Sequence, residues 1–172
     1  MKKIDDIARA SGPERIRDAA FDASSHATPL IAAGVLLFLL GLFNGLFVHF
    51  TTVPRVTLTA PAQALAAHLV ALMSGTFLIA VGLLWPRLRL SRMASLFGVA
   101  LALYSFFAGW AFNLLAGIWG AASVLPLSAA AAHGSALQES LIGSGLFTVA
   151  VGTIAFCLLV LWGLRPAIAH AP

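Results

Sequence analysis

Charge is what this chain has least of. Lys, Arg, Asp and Glu make up 9% of its 172 residues, and no carboxylate occurs between Asp22 and Glu139. A soluble domain carries about 25% charged residues, so most of this chain is not built to face water. The missing carboxylates exclude more. Paired-carboxylate acid–base chemistry, carboxylate-bound metals and most proton relays have no parts to work with. Cysteine occurs once, as Cys157 inside an apolar run, where it cannot form an intrachain disulfide and packs as a small hydrophobe. Neither a cysteine pair nor a His-x-x-x-His spacing is present to hold zinc. Ser74 has no base near it in the sequence, so no hydrolase triad is visible. The lack of a long-range repeat or of a broken helix with buried charge argues against a transporter. The basic residues flank apolar runs instead of forming a patch, so the net charge of +4 does not imply nucleic acid.

What the chain has is oil. Hydrophobic residues make up 60% of it, and the mean hydropathy is +0.98. Four runs, 29–50, 61–84, 93–119 and 141–164, carry no formal charge in their interiors. At ~1.5 Å of rise per residue each is long enough to cross a hydrocarbon core of ~30 Å. The expected fold is therefore an all-α integral membrane protein, a four-transmembrane-helix bundle of one domain spanning 29–165. Residues 1–28 form a polar N-terminal tail with five basic and five acidic side chains. It lacks the apolar core of a secretory signal, and has room for an interfacial helix broken or restarted around Pro13. Residues 166–172 are a C-terminal tail. The first tail, the connection after the second run and the C-terminus hold five, three and one Lys/Arg, against Arg55 alone on the other side. This asymmetry puts both termini in the cytoplasm of what would be a bacterial inner membrane.

Two features shape the spans. Gly41-x-x-x-Gly45 permits close helix contact, as do Gly143, Gly145 and Gly152 in the fourth run. Trp85–Pro86 closes the second run, the tryptophan at the membrane interface and the proline stopping the helix.

His68 stands in the middle of the second run, roughly 10 Å from its outer end at ~1.5 Å per residue. An imidazole at that depth is costly unless something bonds or coordinates it. Two readings are open: a ring satisfied by a neighbouring carbonyl or hydroxyl, and a metal or haem ligand. Ser74 is six positions on, about 120° around the helix, an arrangement that suits a site between protomers. Tyr104, the only tyrosine, lies in the aromatic third span and needs a partner for its hydroxyl at that depth. Asn113 is the amide in the last third of the same span. A lone deep histidine suits five-coordinate haem with an open, Lewis-acidic position better than a bis-ligated cytochrome. Arg55, or Arg87, Arg89 and Arg92, would then be available to propionates.

The stretches FLLGLFNG, AHLVALMSG and LLWPRLRLS, with Tyr104 to Trp119, resemble the hydroxylaminobenzene mutase family, itself similar to membrane-bound styrene oxide isomerases. The resemblance covers roughly residues 30–165. It implies a homotrimer with haem b between neighbouring protomers, His68 as the axial ligand, and Tyr104 as the substrate-side tyrosine. Ser74 stands where that family usually has asparagine, and Asn113 is a candidate to compensate. The reaction implied is a redox-neutral rearrangement of a small aromatic substrate from the bilayer, a hydroxylaminoarene giving an aminophenol. The alternatives are an aryl epoxide opening to an aldehyde and a haem-binding or electron-transfer protein without isomerase activity.

Overall fold

The computed structural model describes residues 13–51, 58–121, 123 and 133–165. Arg55, most of the N-terminal tail's side chains and the C-terminal tail lie outside the described residues. The described residues form four long helices: α1 (Pro13–Thr51), α2 (Pro61–Leu84), α3 (Arg92–Trp119) and α4 (Ala136–Gly163). No strand occurs among the described residues. The stretches His26–Phe50, Pro61–Arg87, Arg92–Trp119 and Ala136–Gly163 are long and apolar enough to cross a membrane. The protein is an all-helical integral membrane protein.

Local chemistry sets the helix ends. Pro61 opens α2 in the first turn, where its missing amide costs nothing. After Leu84 the chain tightens into one 3-10 turn, Trp85–Arg87, around Pro86. Ser91 caps α3 by accepting from the Ala94 amide, and Gly120 ends it at φ 69°, a left-handed conformation that costs glycine little. Helix α4 starts with a capping box, Ser135 and Gln138 bonding each other's backbone amides. That polar box lies ahead of the apolar run, so α4 begins five residues before the run expected at 141–164. At the other end of the chain, α1 starts at Pro13, where the sequence allowed a helix to restart, and runs on through Pro29 into the membrane span. Proline sits comfortably at a helix start, and Pro29 removes only one amide from a helix long enough to carry the gap.

The packing order follows the chain: α1 against α2, α2 against α3, and α3 against α4, with a lighter α1–α3 contact. Glycines let α1 and α2 approach backbone to backbone. A Cβ on Gly34 would come within 2.7 Å of the Gly75 carbonyl, and one on Gly75 within 2.7 Å of the Gly34 carbonyl. Gly117 seats α3 against the backbone of Ala64 in the same way. The core runs through Leu30, Leu37, Leu78, Trp85, Phe106 and Phe156. Here Trp85 departs from expectation. It is not an interfacial anchor but a fully buried side chain, stacked on Phe156 at 6.3 Å between ring centroids. Its indole N–H donates to Ser95 Oγ at 3.0 Å, which removes the polar reason for staying at the interface.

Candidate active site

His68 faces α1. Its Nδ1 lies 2.7 Å from the carbonyl oxygen of Gly41. A carbonyl can only accept, so Nδ1 carries the proton and the lone pair of the neutral ring is on Nε2. The ring lies against Gly45, where a Cβ would meet Cε1 at 2.5 Å and Nδ1 at 2.7 Å. Gly41 and Gly45 thus do two things for one residue: the first orients the ring and the second makes room for it. The first open reading, a ring bonded to a neighbouring carbonyl, describes one nitrogen. It leaves the other with no partner among the described residues, as a ligand imidazole held by its far nitrogen would be.

Tyr104 points elsewhere. It is 47% exposed on α3, and its hydroxyl is 2.7 Å from Thr148 Oγ1 on α4. The Thr148 hydroxyl donates its single proton to the Gly145 carbonyl at 2.8 Å, so Tyr104 is the donor of the pair. The hydroxyl therefore has the partner its depth demands, and its lone pairs remain available. The imidazole is thus bonded toward α1 and the phenol toward α4, two helices that do not pack appreciably on each other. Ser74 is half-buried on α2, turned about 120° from the imidazole.

Asn113 is not beside Ser74. Its Nδ2 donates to the Gly109 carbonyl at 2.7 Å, and its Oδ1 accepts from Gln63 Nε2. Gln63 precedes Ser74 by eleven residues, roughly 16 Å along α2 at ~1.5 Å per residue. With Gln63 1% exposed, the pair is a buried amide clamp between α2 and α3, as polar side chains between membrane helices commonly are.

Sequence reasoning passed over Gln63, Asn44 and Trp110. Asn44 Nδ2 donates to the Ala64 carbonyl at 3.2 Å, tying α1 to α2 one turn from His68. Among the described residues, Asn44 Oδ1, Gln63 Oε1, Ser105 Oγ and Trp110 Nε1 are buried without a hydrogen-bond partner. The available signal was an amide inside an uncharged span, which is expensive in hydrocarbon without a purpose. No group of three or more His, Cys, Asp or Glu that could hold a metal ion occurs among the described residues.

These features define a class: a four-span helical membrane protein with one oriented imidazole deep in the bundle and its second nitrogen unclaimed. The family follows from comparison. The sequence model of the styrene oxide isomerase family matches residues 26–165, and the chain belongs to that family. It is similar to hydroxylaminobenzene mutase HabB of Ectopseudomonas oleovorans, 39% identical over 142 residues, 82% of each chain. It is also similar to hydroxylaminobenzene mutase HabA of the same organism, 35% identical over 138 residues, 80% of this chain and 97% of the relative. No solved structure matches it. The protein is an isomerase.

Proposed function

We propose that this isomerase rearranges a hydroxylaminoarene to an aminophenol, using haem b held on His68 Nε2. The observation that carries the reading is the Nδ1–H to Gly41 carbonyl bond, which leaves Nε2 as a fixed, unprotonated donor. The donor set fits haem: a porphyrin would bring four nitrogens of its own and need one more from the protein, which His68 Nε2 would supply. When bound, ferric haem supplies a Lewis acid toward the substrate's heteroatom. The chain's own part is positioning. Tyr104, its O–H held by Thr148 and its oxygen lone pairs open, accepts from the migrating hydroxyl end of the substrate, and Ser74 holds a second polar edge. The apolar spans exclude water, which would otherwise capture the activated ring. Atoms balance without a reductant: the N–O bond breaks, a C–O bond forms on the ring, and the ring hydrogen displaced there returns to nitrogen.

His68 bonds to α1 and Tyr104 to α4. We infer that they meet across an interface in a homotrimer, with both termini on the cytoplasmic side of a bacterial inner membrane and Arg55 as the propionate partner. The name of the matching family favours a second reading, opening of an aryl epoxide to an aldehyde at the same site.

An absorption spectrum of the detergent-purified protein, followed by separate additions of phenylhydroxylamine and styrene oxide, tests both. The expected result is a Soret band that His68→Ala loses, with turnover of phenylhydroxylamine. Tyr104→Phe is expected to keep the band and lower turnover by about 10-fold, the cost of removing one positioning hydrogen bond. A colourless, fully active protein, or an unchanged band in His68→Ala, sinks the proposal.

A further inference from the structure

Tyr104, Thr148 and Gly145 form a hydrogen-bond chain that runs in one direction. The Tyr104 hydroxyl lies 2.7 Å from Thr148 Oγ1, and Thr148 Oγ1 donates to the Gly145 carbonyl at 2.8 Å. A carbonyl has no proton to give, so donation passes from Tyr104 to Thr148 to Gly145. Close packing one turn to either side of Thr148 holds α4 on α3. A Cβ on Gly145 would meet the Phe112 ring at 2.5 Å, and one on Gly152 would meet Ser105 Oγ at 2.5 Å. Ser105 is the residue after Tyr104, so the phenol is set opposite Thr148 by backbone contacts, independently of the bond between them. Tyr104 is 47% exposed. With its one proton on Thr148, its oxygen offers only lone pairs to a further partner.

We infer that Thr148 is a positioning residue that determines specificity. By taking the phenolic proton it makes Tyr104 an acceptor, which selects substrates that bring an O–H or N–H over substrates that can only accept. This selection rests on the proposed function, which sets Tyr104 against the substrate. A hydroxylaminoarene carries both kinds of proton. An aryl epoxide and its aldehyde product carry neither, and would set one oxygen's lone pairs against another's. A site whose polar group must be answered by a donor rejects the analogue that lacks it, because that group is then left unpaired away from water. Thr148 therefore favours the hydroxylaminoarene over the epoxide that the family's name suggests.

Tyr104 is the only tyrosine, so isotope-labelled tyrosine gives a single phenolic C–O stretch in difference infrared spectra of the full chain in lipid nanodiscs. That stretch responds to whether the phenol donates, accepts or does both. Benzyl alcohol, which has an O–H, and benzyl methyl ether, which has none, are the unreactive probes. The alcohol is expected to move the wild-type band and the ether to leave it in place. Thr148 is exposed on α4, so Thr148→Val keeps the shape and opens no cavity. Its band should shift with no probe present, and the ether should now move it further by accepting the freed proton. Thr148→Ser should behave as wild type. In turnover, Thr148→Val is expected to lower the kcat/KM preference for phenylhydroxylamine over styrene oxide by about 10-fold, and Thr148→Ser to restore it. A purely structural role would lower both rates together and leave the ratio unchanged, which overturns the inference. So does a wild-type band that answers both probes alike or neither, an outcome that needs no variant to fold. If neither substrate turns over while the bands behave as expected, the isomerase reading fails and Thr148 still sets Tyr104 as an acceptor. If turnover is found and the band is indifferent to Thr148→Val, this inference alone fails.

Discussion

Replacing Gly45 with alanine is the sharpest single perturbation of the imidazole. The new methyl would sit 2.5 Å from Cε1 and 2.7 Å from Nδ1 of His68, well inside ordinary van der Waals contact of ~3.5–4 Å. The helix backbone at Gly45 is held by its own ladder, so the ring must move. Moving it breaks the 2.7 Å bond to the Gly41 carbonyl, worth about 1 kcal/mol in net terms. Overpacking adds about 1–3 kcal/mol. The sum, about 2–4 kcal/mol, is a ~30- to 700-fold shift in the unfolding equilibrium at about 1.4 kcal/mol per decade. Reversible denaturation in mixed micelles reads that shift, and the absorption spectrum reads whether Nε2 still presents its lone pair. Gly143→Ala is the control, since Gly143 is only half-buried and no close contact is recorded for a Cβ there. If Gly45→Ala matches wild type in both measurements, the ring is not wedged where the structure puts it and the site argument fails.

Other outcomes follow from the same contacts. Asn113→Ala strands the Gln63 amide in the α2–α3 contact and is expected to destabilise by about 1–3 kcal/mol. Activity per folded molecule should be retained, and a 100-fold loss of turnover at full stability would return Asn113 to the chemistry. Gly75→Ala sets a Cβ against the backbone of Gly34 and Phe38, which cannot rotate away, so it should cost at least as much as Gly45→Ala while affecting His68 only through the separation of α1 and α2. Glu139 accepts from the Ser123 amide and hydroxyl and from the Gly134 amide. Glu139→Ala should speed hydrogen exchange at Ser123 and Gly134 and leave the spans' protection unchanged.

Much of the fold is written in the order of residues, because the bilayer reads local composition. A run of twenty or more uncharged residues has few places to go but across, and helices are the open-chain way to satisfy the backbone there. So the four spans, the stop at Pro86, the close approach at Gly41 and Gly45 and the demand of Tyr104 for a partner were all legible. Trp85 was misread because its place depends on Ser95 and Phe156, ten and seventy-one residues away. The α4 start was placed late because the capping box is polar, and hydropathy alone does not register caps.

The site divides along the same line. The spacing of His68 and Ser74 and the absence of any competing donor set can be read along one chain, and together they single out the imidazole. Which nitrogen is free depends on a carbonyl twenty-seven residues upstream. That Asn113 clamps Gln63, that Asn44 and Trp110 line one cleft, and that Tyr104 bonds to α4 depend on the rotation of each helix about its axis. Hydropathy is nearly uniform around these helices, so composition fixes their length and leaves their rotation to the glycine contacts and amide bonds between them.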